Sequence, residues 1–208
     1  MFRRALLAAL TSAALAAPVL SFAQQAPVEV AGIKFEREAT LAGSKLQLNG
    51  AGLRYKLMFK VYAAGLYLGA KSATAEAVLA APGPKRMHIV MLREIDANEL
   101  GKLFTRGMED NATREEFAKA IPGTIKLGEI FAARKKLASG DYFDIDYVPG
   151  AGTTIVVNGK PAHAEPIREA EFFNSLLKIW LGKAPADAAL KELLLGAEPA
   201  TNRRGRDS

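Results

Sequence analysis

Residues 53–68, LRYKLMFKVYAAGLYL, read as one long extended stretch rich in aromatic and aliphatic side chains. Extended chain cannot satisfy its own backbone donors and acceptors, so a stretch of this length calls for a sheet. Gly65 lies inside it, where a glycine points to a bulge or to close approach by another group. On strict alternation Arg54 and Tyr62 face one side and Tyr67 the other, unless the Gly65 region breaks the alternation.

The segments around this stretch complete a pattern. Val28, Val30 and Ile33 mark a first strand with Gly32 as turn or bulge, and Lys45–Leu48 a second that runs into Asn49-Gly50-Ala51-Gly52. Residues 74–81 read as a short helix stopped by Pro82-Gly83-Pro84, and Met87–Leu92 as a strand. Asp96 has the position of a helix N-cap with Glu99 as its reciprocal partner. Leu100, Leu103, Phe104 and Met108 fall on one face of the helix that follows. Thr113 and Glu116 repeat the capping signature for a second helix ending near Pro122-Gly123, and residues 125–137 continue helically. Phe143, Ile145 and Tyr147 alternate with Asp144 and Asp146, and residues 153–157 follow as a partner strand before an Asn158-Gly159 turn. Phe173, Leu176, Leu177 and Trp180 form the apolar face of a closing helix ended by Gly182. Leu190, Leu193 and Leu194 mark a last one ended by Gly196. Strands first, helices in the middle, two strands, then helices again favour an α+β fold: an antiparallel sheet with helices on one face.

The start of the chain has a different character. Arg3 and Arg4 precede an apolar run from Ala5 to Leu20, and Ser21-Phe22-Ala23 supplies small residues at a cleavage site. This is the three-part pattern of an export signal, cleaved after Ala23, and the run is too short and Ala-rich for a good membrane anchor. The expected organisation is a signal at 1–23, a leader at 24–27, one domain at 28–196 and a disordered basic tail at 197–208. The expected location is periplasmic or secreted. With no cysteine in the chain, the core of an exported domain must hold it without disulfides.

Charge and motif content narrow the chemistry. The net charge is +6, of which two charges belong to the signal and three to Arg203, Arg204 and Arg206. The body is close to neutral, against the basic face expected of a nucleic-acid binder. Two histidines far apart, and no cysteine, argue against a metal site. There is no phosphate-binding glycine loop with its lysine and no Gly-x-Ser-x-Gly elbow. Asp144 and Asp146 could be paired acids; the plainer expectation is the solvated side of a half-buried strand. Arg54, among apolar neighbours, needs an acceptor, which is either a protein carboxylate or the anion of a ligand.

The segment Gly50, Gly52, Arg54, Lys60, Gly65, Tyr67 and Leu68 resembles the G-x-G-x-R … K-x-x-x-x-G-x-Y-L strand motif of the chalcone isomerase superfamily. LGKLFTRGMEDN and FFNSLLKIWLG resemble its helical segments. The overall look is that of bacterial exported chalcone isomerase-like proteins. The resemblance implies an open-faced β-sandwich, a large antiparallel sheet with a helical layer on one face and a ligand cleft between them. It implies no cofactor.

Residue by residue, Arg54 matches the family arginine that holds the substrate or a fatty-acid carboxylate. The enzymes' strand threonine falls at Tyr62, as in the fatty-acid-binding branch. Their helix asparagine falls at Asn111, their tyrosine at Phe104, and their last residue near Ile179. Phe104, Ile179, Phe173 and Trp180 equally suit a plain core. The implied ligand site is therefore Arg54, Tyr62, Phe104 and Asn111, taking a small amphipathic carboxylate such as a fatty acid. The alternatives are an intramolecular lyase acting through Arg54 and Tyr62 on an enone-like substrate, and a non-catalytic interaction protein with a vestigial cleft.

Overall fold

The computed structural model describes residues 26–199 of the chain; the signal expected at 1–23 and the tail beyond 199 lie outside the described residues. In chain order the elements are β1 (Val28–Val30), β2 (Ile33–Phe35), β3 (Glu38–Leu41), β4 (Ser44–Lys56), β5 (Phe59–Leu68), α1 (Ala75–Ala80), β6 (Lys85–Met91), β7 (Ile95–Asp96), α2 (Ala97–Asn111), α3 (Arg114–Ala132), β8 (Lys136–Leu137), β9 (Tyr142–Val148), β10 (Gly152–Val157), β11 (Lys160–Pro161), α4 (Ala170–Leu181) and α5 (Ala188–Leu194).

The stretch at 53–68 is not one strand. It folds back on itself as the β4–β5 hairpin, with Leu57 and Met58 as a two-residue turn between the paired Lys56 and Phe59. The preceding Lys45–Leu48 strand and the glycine segment merge into β4. Seven strands make one antiparallel sheet in the order β11-β10-β9-β6-β5-β4-β3. Its central strands alternate over most of their length, with Val61 beside the register shift at Arg54/Tyr55 joining the same core as Tyr62. On β5, Tyr62, Ala64, Leu66 and Leu68 join the core under the helices, while Ala63 and Tyr67 join a smaller cluster on the other face. That smaller cluster is covered by the β1–β2 hairpin, through Phe35 with Val28, Val30 and Ile33. Gly65 exists for this contact, since a Cβ there would stand 2.5 Å from the Phe35 ring.

The helical layer is α2, α3 and α4, interlocked by aromatic edges. Phe104 of α2 meets Phe131 of α3 at 5.7 Å and Trp180 of α4 at 5.4 Å, both edge-to-face. Such pairs add about 0.5–1.5 kcal/mol beyond area burial. Asp96 caps α2 by accepting from the Glu99 amide at 2.9 Å. The Glu99 side chain bonds Lys102 instead of returning to the cap. At α3 the reciprocal box between Thr113 and Glu116 is complete.

Three readings of the sequence are corrected here. Helix α3 does not stop at Pro122-Gly123 but runs through them to Ala132. Gly123 is a packing position, where a Cβ would come 2.5 Å from the Phe172 ring of α4. Burial against α4 therefore outweighs the hydrogen bond that Pro122 forfeits. Lys136 and Leu137 leave the helix to pair with β7. Asp144 and Asp146 are not solvated, being 8 % and 5 % exposed on the face away from the helices. Arg86 donates to both oxygens of Asp146 at 2.6 Å, and His88 pairs with Asp144 at 2.6 Å. Burial pushes the Asp146 carboxyl up, against the pull of Arg86. These acids are consumed in a cross-strand network and are not a catalytic pair.

Among the described residues no helix is long and apolar enough to cross a membrane.

Candidate functional site

Arg54 and Tyr62 sit directly opposite each other on β4 and β5. They share a face, as alternation along one strand implied, but through cross-strand pairing. This puts the guanidinium and the phenol on the helix side of the sheet near the turn of the hairpin. A cavity of about 290 Å³ lies there between sheet and helices, with Arg54, Tyr62, Leu100, Phe104, Ile179 and Pro185 among its lining residues. A wider groove between α2 and α3 is shallow and edged by charged side chains such as Lys102, Glu109 and Asp110. Of these two, the first combines apolar walls with converging polar groups.

Tyr62 is 4 % exposed. Its hydroxyl accepts from the Trp180 indole N–H at 2.8 Å, and the Arg54 charge, directly across the strand pair, acts on it as well. Indole and guanidinium are both donors only. The phenol proton therefore has no acceptor in either neighbour and remains available to a ligand oxygen. Burial pushes the Tyr62 phenol up to about 12, with the Trp180 hydrogen bond and the Arg54 charge acting against that rise. The group is a proton donor at neutral pH.

The acceptor question raised by Arg54 has a two-sided answer. A protein carboxylate is nearby, Asp187, with Oδ2 at 3.9 Å from the Arg54 Nη1. That is an ion pair without hydrogen-bond distance. The carboxylate is engaged elsewhere. Its Oδ2 accepts from the Tyr55 amide at 2.9 Å, and its Oδ1 caps α5 through the amides of Ala189 and Leu190. Asp187 thus supplies a compensating charge while leaving guanidinium donors facing the cavity. Sequence reasoning missed it, although Asp187 ahead of the Leu190-Leu193-Leu194 pattern is an N-cap signal.

Helix α5 approaches β4 closely enough to bring Asp187 there. A Cβ on Gly50 would stand 1.9 Å from the Leu193 carbonyl oxygen, and one on Gly52 would strike the Leu193 side chain. The two glycines of the strand motif are thus the seat of α5. Asn49 fixes it, donating to the Leu194 carbonyl at 2.7 Å and to Ser72 at 2.9 Å.

Phe104 and Ile179 line the cavity, as placed from sequence, and are also core residues, 3 % exposed each. Asn111 does not reach it. Its amide donates to the Gly107 and Ala184 carbonyls at 2.9 and 2.8 Å, and its Oδ1 accepts from the Ala184 amide at 2.8 Å. With those bonds made, Asn111 has little capacity for a ligand. Its part is to pin Ala184, which together with Pro185 and Ala186 forms a wall of the cavity. The site gathered by the fold is Arg54, Tyr62, Phe104 and Ile179, with Trp180 and Asp187 behind it and Asn111 holding the wall.

The architecture has a solved counterpart. The crystal structure of a fatty-acid binding protein of Arabidopsis thaliana superposes with a TM-score of 0.59, covering 79% of this chain and 92% of that one at 16% sequence identity. At that identity the likeness is one of fold. None of the curated proteins compared matches the sequence. The family model described as chalcone isomerase-like matches residues 27–196. With nearly the whole domain covered by that match, the chain belongs to the chalcone isomerase-like family.

Proposed function

We propose that this protein binds a small amphipathic carboxylic acid of the fatty-acid class. Arg54 and Tyr62 take the carboxylate, and Leu100, Phe104 and Ile179 take the tail. The observation that carries this reading is the Tyr62 hydroxyl, a buried donor whose bonded neighbour Trp180 and cross-strand neighbour Arg54 are themselves donors. A carboxylate accepts from the phenol and the guanidinium together, and charge-assisted bonds of this kind are the strong ones. The Arabidopsis thaliana neighbour of the same fold is a fatty-acid binding protein, which supports the class of ligand. The cavity, about 290 Å³, is at the low end of the range of about 300–1,000 Å³ for ligand pockets, which favours a tail of modest length. Binding outside the cytoplasmic membrane, expected from the signal at 1–23, is part of the same reading.

A lyase would need more donors than the cavity offers. Polarising an enone requires hydrogen bonds aimed at the developing oxyanion, and losing one costs about 100-fold or more. Here Phe104 and Ile179 present only hydrocarbon, and the Asn111 amide is spent on Ala184. Binding asks only for the pair that is present.

Lipid extraction and native mass spectrometry of the purified protein test the proposal, with fatty acids as the expected mass additions. Arg54→Ala should weaken binding of the same acids by tenfold or more. Equal affinity of wild type and variant would overturn it.

A further inference from the structure

The β4–β5 turn breaks two local rules at once. Two-residue hairpin turns favour Asn and Gly, because a positive φ is needed there. Here Leu57 holds φ 56°. The turn is also apolar and points into solvent: Leu57 is 91 % exposed, Met58 83 % and Phe59 53 %. Local choices that contradict the fold without a packing gain mark functional positions.

The charges around the tip are of one sign. Lys56 and Lys60 flank it, and no acidic residue lies between 54 and 60. Arg93 adds a third cation, its guanidinium 5.1 Å from the centre of the Phe59 ring. Two acids close to it in sequence or contact are engaged, Glu94 with Lys136 at 2.7 Å and Asp187 with Arg54 at 3.9 Å and the Tyr55 amide at 2.9 Å. Bulky apolar side chains at a protruding tip with a basic collar match an anionic lipid interface, where the apolar groups enter the acyl boundary and the cations meet headgroups.

The position fits as well. Lys56, the residue before Leu57, lines the ligand cavity, as does Leu103, which is 47 % exposed on α2.

We propose that the Leu57-Met58-Phe59 turn docks this protein on an anionic phospholipid surface, bringing the open side of the cavity to the bilayer. The docking goes beyond the ligand reading and needs no bound acid.

The test is flotation of the full chain, as processed by its host, with vesicles of phosphatidylglycerol and phosphatidylcholine or of phosphatidylcholine alone. Wild type should float with the anionic vesicles. Its binding to the neutral ones should be weaker by about fivefold for each basic side chain that meets a headgroup. Leu57→Gly combined with Met58→Asn places glycine at the one turn position that holds a positive φ, so the fold and its melting temperature should be kept while vesicle binding falls tenfold or more. Equal flotation of variant and wild type, equal binding to both vesicle types, or no wild-type binding would each overturn the proposal. So would a self-association through the tip, seen by sedimentation without vesicle binding. Fatty-acid affinity measured without vesicles reads the other proposal separately, because neither Leu57 nor Met58 lines the cavity.

Discussion

The indole N–H of Trp180 donates to the hydroxyl of Tyr62 at 2.8 Å, joining helix α4 to strand β5 beneath the cavity. Tyr62→Phe should therefore act twice. It leaves the buried indole without its acceptor, costing about 1–3 kcal/mol of folding stability, readable from urea unfolding. It also removes one of two carboxylate donors, so fatty-acid affinity should fall by about tenfold. A variant of wild-type stability would show that the hydrogen bond carries no net weight.

The same phenol predicts an alkaline transition. Its acidity constant is held at about 12 in the fold against 10.0 in the unfolded chain. Below pH 10 both states are protonated and the contribution is whole. Between about 10 and 12 the unfolded chain ionises first, so stability falls as pH rises, by about 2–3 kcal/mol over the window. Tyr67, also raised to about 12 chiefly by burial, pulls in the same direction. Unfolding curves at pH 9 and pH 11 should show a smaller alkaline loss in Tyr62→Phe than in wild type.

Gly50→Ala should disturb the site from behind. Its Cβ would stand 1.9 Å from a backbone oxygen of α5, which has no rotamer to escape by. The helix must lift, taking Asp187 away from Arg54, at about 1–3 kcal/mol of stability. Gly69→Ala is the control: nothing lies within 4 Å and its φ is not positive, so the change should stay within about 0.5 kcal/mol. Thermal or chemical unfolding of the two variants side by side decides it.

Asn111→Ala should cost about 1–3 kcal/mol by opening the clamp on Ala184. The more telling readout is local. Hydrogen exchange at the Ala184 amide, now bonded to the Asn111 Oδ1, should quicken, and fatty-acid affinity should drop because the 184–186 wall loosens. An affinity loss without faster exchange would instead place Asn111 in direct contact with ligand.

What could be read from sequence follows from what is local. The helix caps at Asp96 and Thr113 and the apolar faces around Phe104 and Trp180 depend on neighbours a few residues away, and they were legible. So was the shared face of Arg54 and Tyr62, though for the wrong reason. The turn between them was hidden because Leu57-Met58 has none of the residues that announce a hairpin. The end of α3 was misread because Pro122 is a local stop signal that packing against Phe172 overrides. Asp144 and Asp146 looked solvated because their partners Arg86 and His88 come from a strand more than fifty residues earlier. Asn111 was assigned by a resemblance in position, and only three dimensions show its amide already spent.

The hydrogen bond from Asn49 to Leu194 spans 145 residues. Closing so long a loop costs chain entropy that the seated helix must offset. The seat of α5, and with it the charge that balances Arg54, cannot exist until almost the last residue of the domain is available. A chain cut short before Asp187 lacks both that carboxylate and the seat of α5, so ligand binding should report on the completeness of the molecule.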